Sequence, residues 1–425
     1  MSAGAPADVR TARAERARVR PGRHEKNGTR KQRKALILPG AGARGAYQVG
    51  VLKAIAQLLP RRAVNPFAII CGTSAGAINA AVLASRAAQF ERAVSEMERV
   101  WSNFHADQVY RSDNWTMLKT SLHWFAAVIF GGLGVRNPLS LLDNAPLCEL
   151  LARRIPFGSI TRAIDRGYVE ALAVTASAYT SAQSVTFFQA LGHVEPWVRV
   201  RRVGRPARIG IEHLLASAAV PFIFPPVRIG GEFYGDGSMR NRAPLSPAIH
   251  LGADRILVIG GRDEQPIAEP LADDEPEIPT FGHLGGYMLD TLFLDGLYAD
   301  LEHVTRTNQM LKEIGVDRLR TPEHELRRLT TLIVLPKQDI RDVAARHVDE
   351  LPYGVRLLLR GLGAMNHLGM QLVSYLLFES GFTQELISMG YRDAMSMEDD
   401  LRAFLSDEPM ASLDAPTYLK ERLES

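Results

Sequence analysis

The chain has 425 residues, 46% apolar and 23% charged, enough material for one large α/β domain or two ordinary ones. Its net charge of +3 is small for this length and gives no support to nucleic-acid binding, and two cysteines cannot build a disulfide framework or a zinc site. Nowhere do roughly 18 apolar residues run together, so no transmembrane segment is expected.

Residues 1–34 carry eleven Lys or Arg against three acids and almost nothing large and apolar, which reads as a disordered basic tail. The tail lacks the apolar stretch of a secretory signal and the amphipathic stripe of a mitochondrial transit peptide, so a cytoplasmic protein is expected. A short strand, Ala35 to Leu38, leads into Gly40-Ala41-Gly42-Ala43-Arg44-Gly45 and then a helix with Val49, Leu52, Ile55 and Leu59 on one face. A second strand spans 67–71, followed by Gly72-Thr73-Ser74-Ala75-Gly76 and an alanine-rich helix over about 75–88. This order of strand, loop and helix, twice over, predicts a parallel, doubly wound sheet. Residues 91–125 read as an amphipathic helix with Trp101, Phe104, Trp115, Trp124 and Phe125. Further strands are predicted at 169–175, 184–188, 255–260 and 330–335, with a hairpin at 228–234 around Gly230-Gly231. The acidic, proline-rich stretch 263–280 reads as a surface loop, helices are expected over 284 to about 313 and about 365–380, and the polar end 396–425 as loosely attached.

Two glycine motifs carry the chemistry. The 40–45 loop matches G-x-G-x-x-G between a strand and a helix, the fingerprint of a dinucleotide site. That reading requires an acid at the end of the second strand, and Cys71-Gly72-Thr73-Ser74 stands there instead. No Lys-Ser/Thr pair follows Gly45, and no calcium-loop pattern occurs, so no cofactor or metal is expected. The other use of such a loop is an oxyanion hole, built from backbone N–H groups backed by a helix N-terminus. Gly72 to Gly76 has the strand-turn-helix flanks of a nucleophile elbow, with Ser74 at its apex.

A serine nucleophile needs a base. None of the eleven histidines has a distinctive setting, although a downstream one such as His250 or His283 would complete a Ser-Asp-His triad. Gly235-Asp236-Gly237-Ser238, directly after the hairpin strand, holds an aspartate on a tight turn. A free aspartate, with a pKa of about 3.9, is a weak base, so the chemistry calls for a dry, apolar cleft around it.

Taken in chain order, the glycine loop, the elbow and Asp236-Gly237-Ser238 resemble the bacterial patatin-like phospholipases. Ala216-Ser217-Ala218-Ala219-Val220-Pro221 and Phe224-Pro225-Pro226 resemble that family's approach to its aspartate, and the similarity covers roughly residues 35–260. The resemblance implies a three-layer α/β/α fold around a mostly parallel sheet and a lipid acyl hydrolase. It makes Ser74 the nucleophile and Asp236 the general base of a dyad without histidine, and it puts an oxyanion hole in the 41–44 loop. Ala41 stands where the family often has Gly, and Ser238 where it usually has Gly or Ala; neither change removes a catalytic atom. A catalytically silent lipid-binding protein of the same fold is the alternative from another class.

The implied organisation is a basic tail (1–34), a catalytic core (35–262), a C-terminal extension packed on it (263–395) and a polar tail (396–425). Arg44 either orients an anionic head group or braces its loop, and bracing is favoured. Residues 122–133 suit a buried helix and loop as well as a segment lying in a membrane interface or covering the cleft as a lid. The basic tail suits a solvated arm better than a contact with anionic lipid. The expected partner is therefore a lipid substrate, with peripheral membrane contact open and no nucleic acid.

Overall fold

A strand covered on both faces reads as a near-continuous apolar run, and the chain's apolar runs lie in such strands. The computed structural model describes residues 32–111, 140–261, 278–320, 325–366, 369–406 and 408. The first strands are β1 (Lys34–Leu38), β2 (Ile69–Thr73), β3 (Ala171–Ala178), β4 (Ser184–Ala190), β5 (Trp197–Arg199) and β6 (Arg202–Pro206). After them come β7 (Val227–Ile229), β8 (Glu232–Asp236), β9 (Arg255–Ile259), the small hairpin β10 (Arg318–Arg320) with β11 (Glu325–Arg327), and β12 (Thr330–Val334). Among the described residues, ten strands form one sheet in the order β12-β9-β1-β2-β3-β4-β6-β5, with β8 pairing to β3 and β7 to β8.

The five strands from β12 to β3 are parallel, and β4 and β8 both run antiparallel to β3. Side chains alternate between the two faces. Leu36, Leu38, Ile70, Leu172, Leu257 and Leu332 face one core, whereas Ala35, Ile37, Ile69, Ala171, Ile256 and Ile333 face the other. The first core is covered by α1 (Gly45–Leu58), α2 (Ala75–Ser85), α3 (Phe90–Trp101) and the helices Ser380–Met395 and Glu398–Ser406. The second is covered by the helices Ser246–His250 and Phe281–Ile314, through Ala248, Leu297, Leu301 and Val304. This is the three-layer α/β/α arrangement around a mostly parallel sheet.

Several elements differ from the sequence reading. Strands β2 and β3 lie two or three residues later than expected. The helix expected over 91–125 stops at Trp101, because Thr383 Oγ1 donates to the Trp101 carbonyl (2.6 Å) and Gln384 Nε2 to the Ser102 carbonyl (2.7 Å). Those side chains satisfy carbonyls that another helical turn would have used. The helix expected at 365–380 is Met370–Leu376, and a second, unforeseen helix begins at Ser380. Part of the stretch expected to be a loose polar end is packed: Leu401 and Phe404, three apart on one helical face, are fully buried.

The basic tail up to residue 31, residues 112–139 (with the later part of the helix expected over 91–125 and the whole 122–133 segment), most of the stretch expected as a surface loop (262–277) and residues 409–425 lie outside the described residues. Among the described residues, no helix is long and apolar enough to cross a membrane.

Candidate active site

The parallel register of β1 with β2 sets Leu38 beside Gly72, so the glycine loop and the elbow leave the same edge of the sheet from adjacent strands. Ser74 stands between β2 and α2 with φ 54° and ψ −129°, a positive φ that is uncommon for a residue with a side chain. Its carbonyl accepts the Ala77 N–H (2.9 Å), and its own N–H donates to Ser217 Oγ (2.9 Å), which donates in turn to the Thr175 carbonyl (2.6 Å). The strained turn is thus held from outside by a buried hydroxyl. Gly76 is needed for close approach: a Cβ there would collide with the carbonyl oxygens of Leu38 and Pro39. Thr73 Oγ1 accepts from Asn241 Nδ2 (3.4 Å), and Gly72 and Ala75 are buried in the same turn.

In the other motif, Gly40 and Ala41 are buried and Gly42 to Arg44 form a single 3-10 turn running into α1. Gly42 has φ +53°, and a Cβ on it would sit 2.5 Å from the Tyr375 carbonyl oxygen. The Arg44 N–H donates to the Ala41 carbonyl (3.0 Å), and the Gly45 N–H caps back onto the same turn. Those two amides are therefore committed, which narrows the expected 41–44 donor set to its earlier members.

The Arg44 side chain is 1% exposed and braces the loop. Nε and Nη2 donate to Ser374 Oγ (2.9 and 2.6 Å), Nη1 donates to the Gly261 carbonyl (3.3 Å), and Nη1 lies 3.5 Å from Asp290 Oδ1. The guanidinium also stacks over the Tyr375 ring at 4.0 Å, while Tyr375 OH donates to the same Asp290 oxygen (2.7 Å). Behind the loop, Gln48 Nε2 donates to the Pro39 carbonyl (2.9 Å). Asn79 ties Gln48 (3.0 Å) to Trp101 Nε1 (3.0 Å), which links α1, α2 and α3.

Asp236 ends β8, where pairing with Ala176 of β3 brings it alongside the elbow. Its N–H donates to the Ala219 carbonyl (2.8 Å), and its Oδ1 accepts the Ser238 N–H (2.9 Å); Gly237 O accepts from Ser177 Oγ (3.2 Å). The carboxyl is 1% exposed, and burial pushes its pKa from 3.8 up to about 6, against the opposing pull of the Ser74 hydroxyl and the Ser238 amide. Oδ2 itself is buried without a closed hydrogen bond. A carboxylate oxygen with a free lone pair beside the Ser74 hydroxyl is chemically able to accept a proton from it.

Beside Ser74 lies an apolar cavity of about 340 Å³, whose walls include Gly42, Ile78, Val82, Leu151, Phe224 and Phe378. No histidine is among its described lining residues. His250 stacks on Trp197 (4.9 Å), and burial with Arg199, Arg202 and Arg327 lowers its pKa to about 4. His283 lies in the first turn of its helix, where its N–H donates to Thr280 Oγ1 (3.2 Å). The structure therefore brings together Ser74, Asp236 and the glycine loop, and leaves both candidate histidines out. Cys71, buried in β2 with its thiol pushed up to about 12, is an inert core residue. Sequence reasoning singled out the run Ala216 to Pro221 only as part of the resemblance and missed the role of Ser217, because nothing in the run marks its hydroxyl as the acceptor of the Ser74 N–H.

No curated protein matches the sequence. Among solved structures the chain is similar to the crystal structure of VipD from Legionella pneumophila, with 12% identity and a TM-score of 0.32 over 87% of this chain and 67% of that one. A family model described as patatin-like phospholipase matches residues 36–249, half of the sequence, within which the glycine loop, the elbow and the Asp236 turn all fall. On the strength of that match the chain belongs to the patatin-like phospholipase family.

Proposed function

We propose that the protein hydrolyses fatty-acyl esters of lipids, phospholipids among them, with Ser74 as nucleophile and Asp236 as its base. The observation that carries this reading is a buried, partly unpaired carboxylate next to a strained serine at the wall of an apolar cavity. Ser74 Oγ attacks the acyl carbonyl carbon as Asp236 takes its proton, and the carbonyl electron pair moves onto oxygen. Backbone N–H groups at Gly42 and Ala43, near the positive end of α1, stabilise that charge; each such donor is worth roughly 3 kcal/mol in the transition state. Collapse expels the alcohol, which takes the proton from Asp236 and leaves acyl-Ser74. Water then attacks with Asp236 again as base, and the second collapse releases the fatty acid and returns the proton to Ser74 Oγ.

A base with a pKa of about 6 is half ionised near that pH and charged at neutrality, which suits it to the task better than a free aspartate. Peripheral contact with a lipid surface belongs to the same proposal. Phe281, Leu284, Tyr287 and Met288 are exposed on the first turns of the helix whose Leu289 lines the cavity. We further propose that the extension beyond residue 262 acts as part of the catalytic domain, since Asp290, Ser374 and Tyr375 hold Arg44.

The test is mass spectrometry of a mixed lipid extract incubated with wild type, Ser74→Ala and Asp236→Asn. Free fatty acid is expected with wild type alone. Equal release by Asp236→Asn removes that residue from the mechanism, and failure of a fluorophosphonate to label Ser74 in wild type favours a silent lipid-binding protein.

A further inference from the structure

The cavity has a direction. Ala75, Ile78, Val82 and Arg86 recur on one face of α2 and its C-cap, and all four line the cavity that begins at Ser74. At a rise of about 1.5 Å per residue, the path from Ser74 to Arg86 is about 18 Å long. The opposite walls come from α3, through Met97 and Val100, and from the helix Ala145–Arg154, through Leu147 and Leu151.

The far end changes character. Arg86 pairs through Nε with Glu96 of α3, and its Nη2 donates to the Arg154 carbonyl (3.2 Å) at the end of the third wall. One side chain thus fastens all three helices where the apolar lining stops. Arg86 and Glu96 are about one-quarter and one-third exposed, so their charges remain hydrated on the outer side. A methyl terminus pushed into this clasp would have to strip water and a partner from a charged pair while gaining little apolar contact.

We infer that the Arg86–Glu96 clasp is the stop that limits the length of the acyl chain this protein accepts; the inference rests on the acyl-hydrolase reading of Ser74. A saturated chain advances about 1.25 Å per carbon, a carbon–carbon bond projected along the chain axis, so about 18 Å accommodates about 14 carbons. Dodecanoyl and tetradecanoyl esters therefore fit between the serine and the clasp, and stearoyl esters overrun it.

The experiment is a chain-length series of p-nitrophenyl esters, from butyryl to stearoyl, presented in mixed detergent micelles at a fixed mole fraction. It is run on wild type, Arg86→Ala and Val82→Phe, and reads the ratio of kcat/KM for stearoyl to dodecanoyl ester. The ratio is indifferent to how much active enzyme each preparation contains. For wild type, stearoyl ester is expected to be roughly tenfold poorer than dodecanoyl, a discrimination of the size apolar pockets achieve. Arg86→Ala should raise the ratio severalfold, and Val82→Phe, which narrows the channel midway, should move the optimum to chains shorter than dodecanoyl. A wild-type profile that climbs steadily to stearoyl, or ratios and optima unchanged in both variants, overturns the stop while leaving the hydrolase reading intact. Absence of hydrolysis for every ester with wild type overturns both.

Discussion

Replacing Asp236 by Asn should make the protein more stable while silencing it. The carboxyl is buried and its pKa is raised from 3.8 to about 6, mainly by loss of solvent. The folded state therefore binds this proton more tightly than the unfolded chain does. The stabilising contribution is fully present below pH 3.8 and is lost as pH rises through about 6. A shift of about two units is worth about 3 kcal/mol, which wild type forgoes at pH 8 when the carboxylate must be charged inside the fold. Asparagine is neutral at every pH and keeps the oxygen that accepts the Ser238 amide (2.9 Å). Its amide N–H₂ takes the place of Oδ2, beside the Ser74 hydroxyl, and an imperfect hydrogen bond there would return about 1 kcal/mol of the gain. Urea titrations of both proteins should therefore show Asp236→Asn ahead by about 2 kcal/mol at pH 8, with the difference shrinking towards pH 4. A variant that is no more stable at pH 8, or ahead by the same margin at both pH values, refutes the burial argument. Such a conflict between activity and stability is the expected mark of a charge held for chemistry rather than for folding.

The same carboxyl predicts that kcat/KM falls tenfold per unit of pH below about 6, read from a pH series with a soluble ester; a midpoint near 4 would mean that the base is solvated. Gly42→Ala forces a side chain into a positive φ and against the Tyr375 carbonyl, and should lower kcat by about a hundredfold; wild-type turnover would exclude that turn from the oxyanion hole. Arg44→Met leaves Asp290 without this cation in a buried site and should cost about 3 kcal/mol in urea titration, whereas a neutral result would mean that Tyr375 and its neighbours suffice. Ser217→Ala leaves the Ser74 N–H without its acceptor, so a loss of about 1–2 kcal/mol in stability is expected together with reduced turnover.

What was legible in the sequence follows from how far each signal reaches along the chain. Strands β1, β2, β9 and β12 each carry a run of three or four consecutive apolar residues because both faces are covered, and those runs stand out. The elbow and the Asp236 turn announce themselves through local glycine spacing. Arg44 was left with two readings because its partners, Asp290, Ser374 and Tyr375, lie hundreds of residues away. Ser217 was invisible as a functional residue because it acts on backbone groups, and backbone leaves no trace in composition. The end of α3 was misread for a similar reason: the side chains that cap it, Thr383 and Gln384, belong to a helix placed there by tertiary packing.

The position of β12 bears on how this protein can be taken apart. It is the outermost neighbour of β9, and all five β9 residues are buried beneath it and the flanking helices. Trimming the sequence after residue 262, which keeps the three motifs and β9 but removes β12, would strip that neighbour away and bare a row of unsatisfied amides and carbonyls on an apolar ribbon. A shortened version would then aggregate edge to edge, and its silence in an assay would say nothing about the serine.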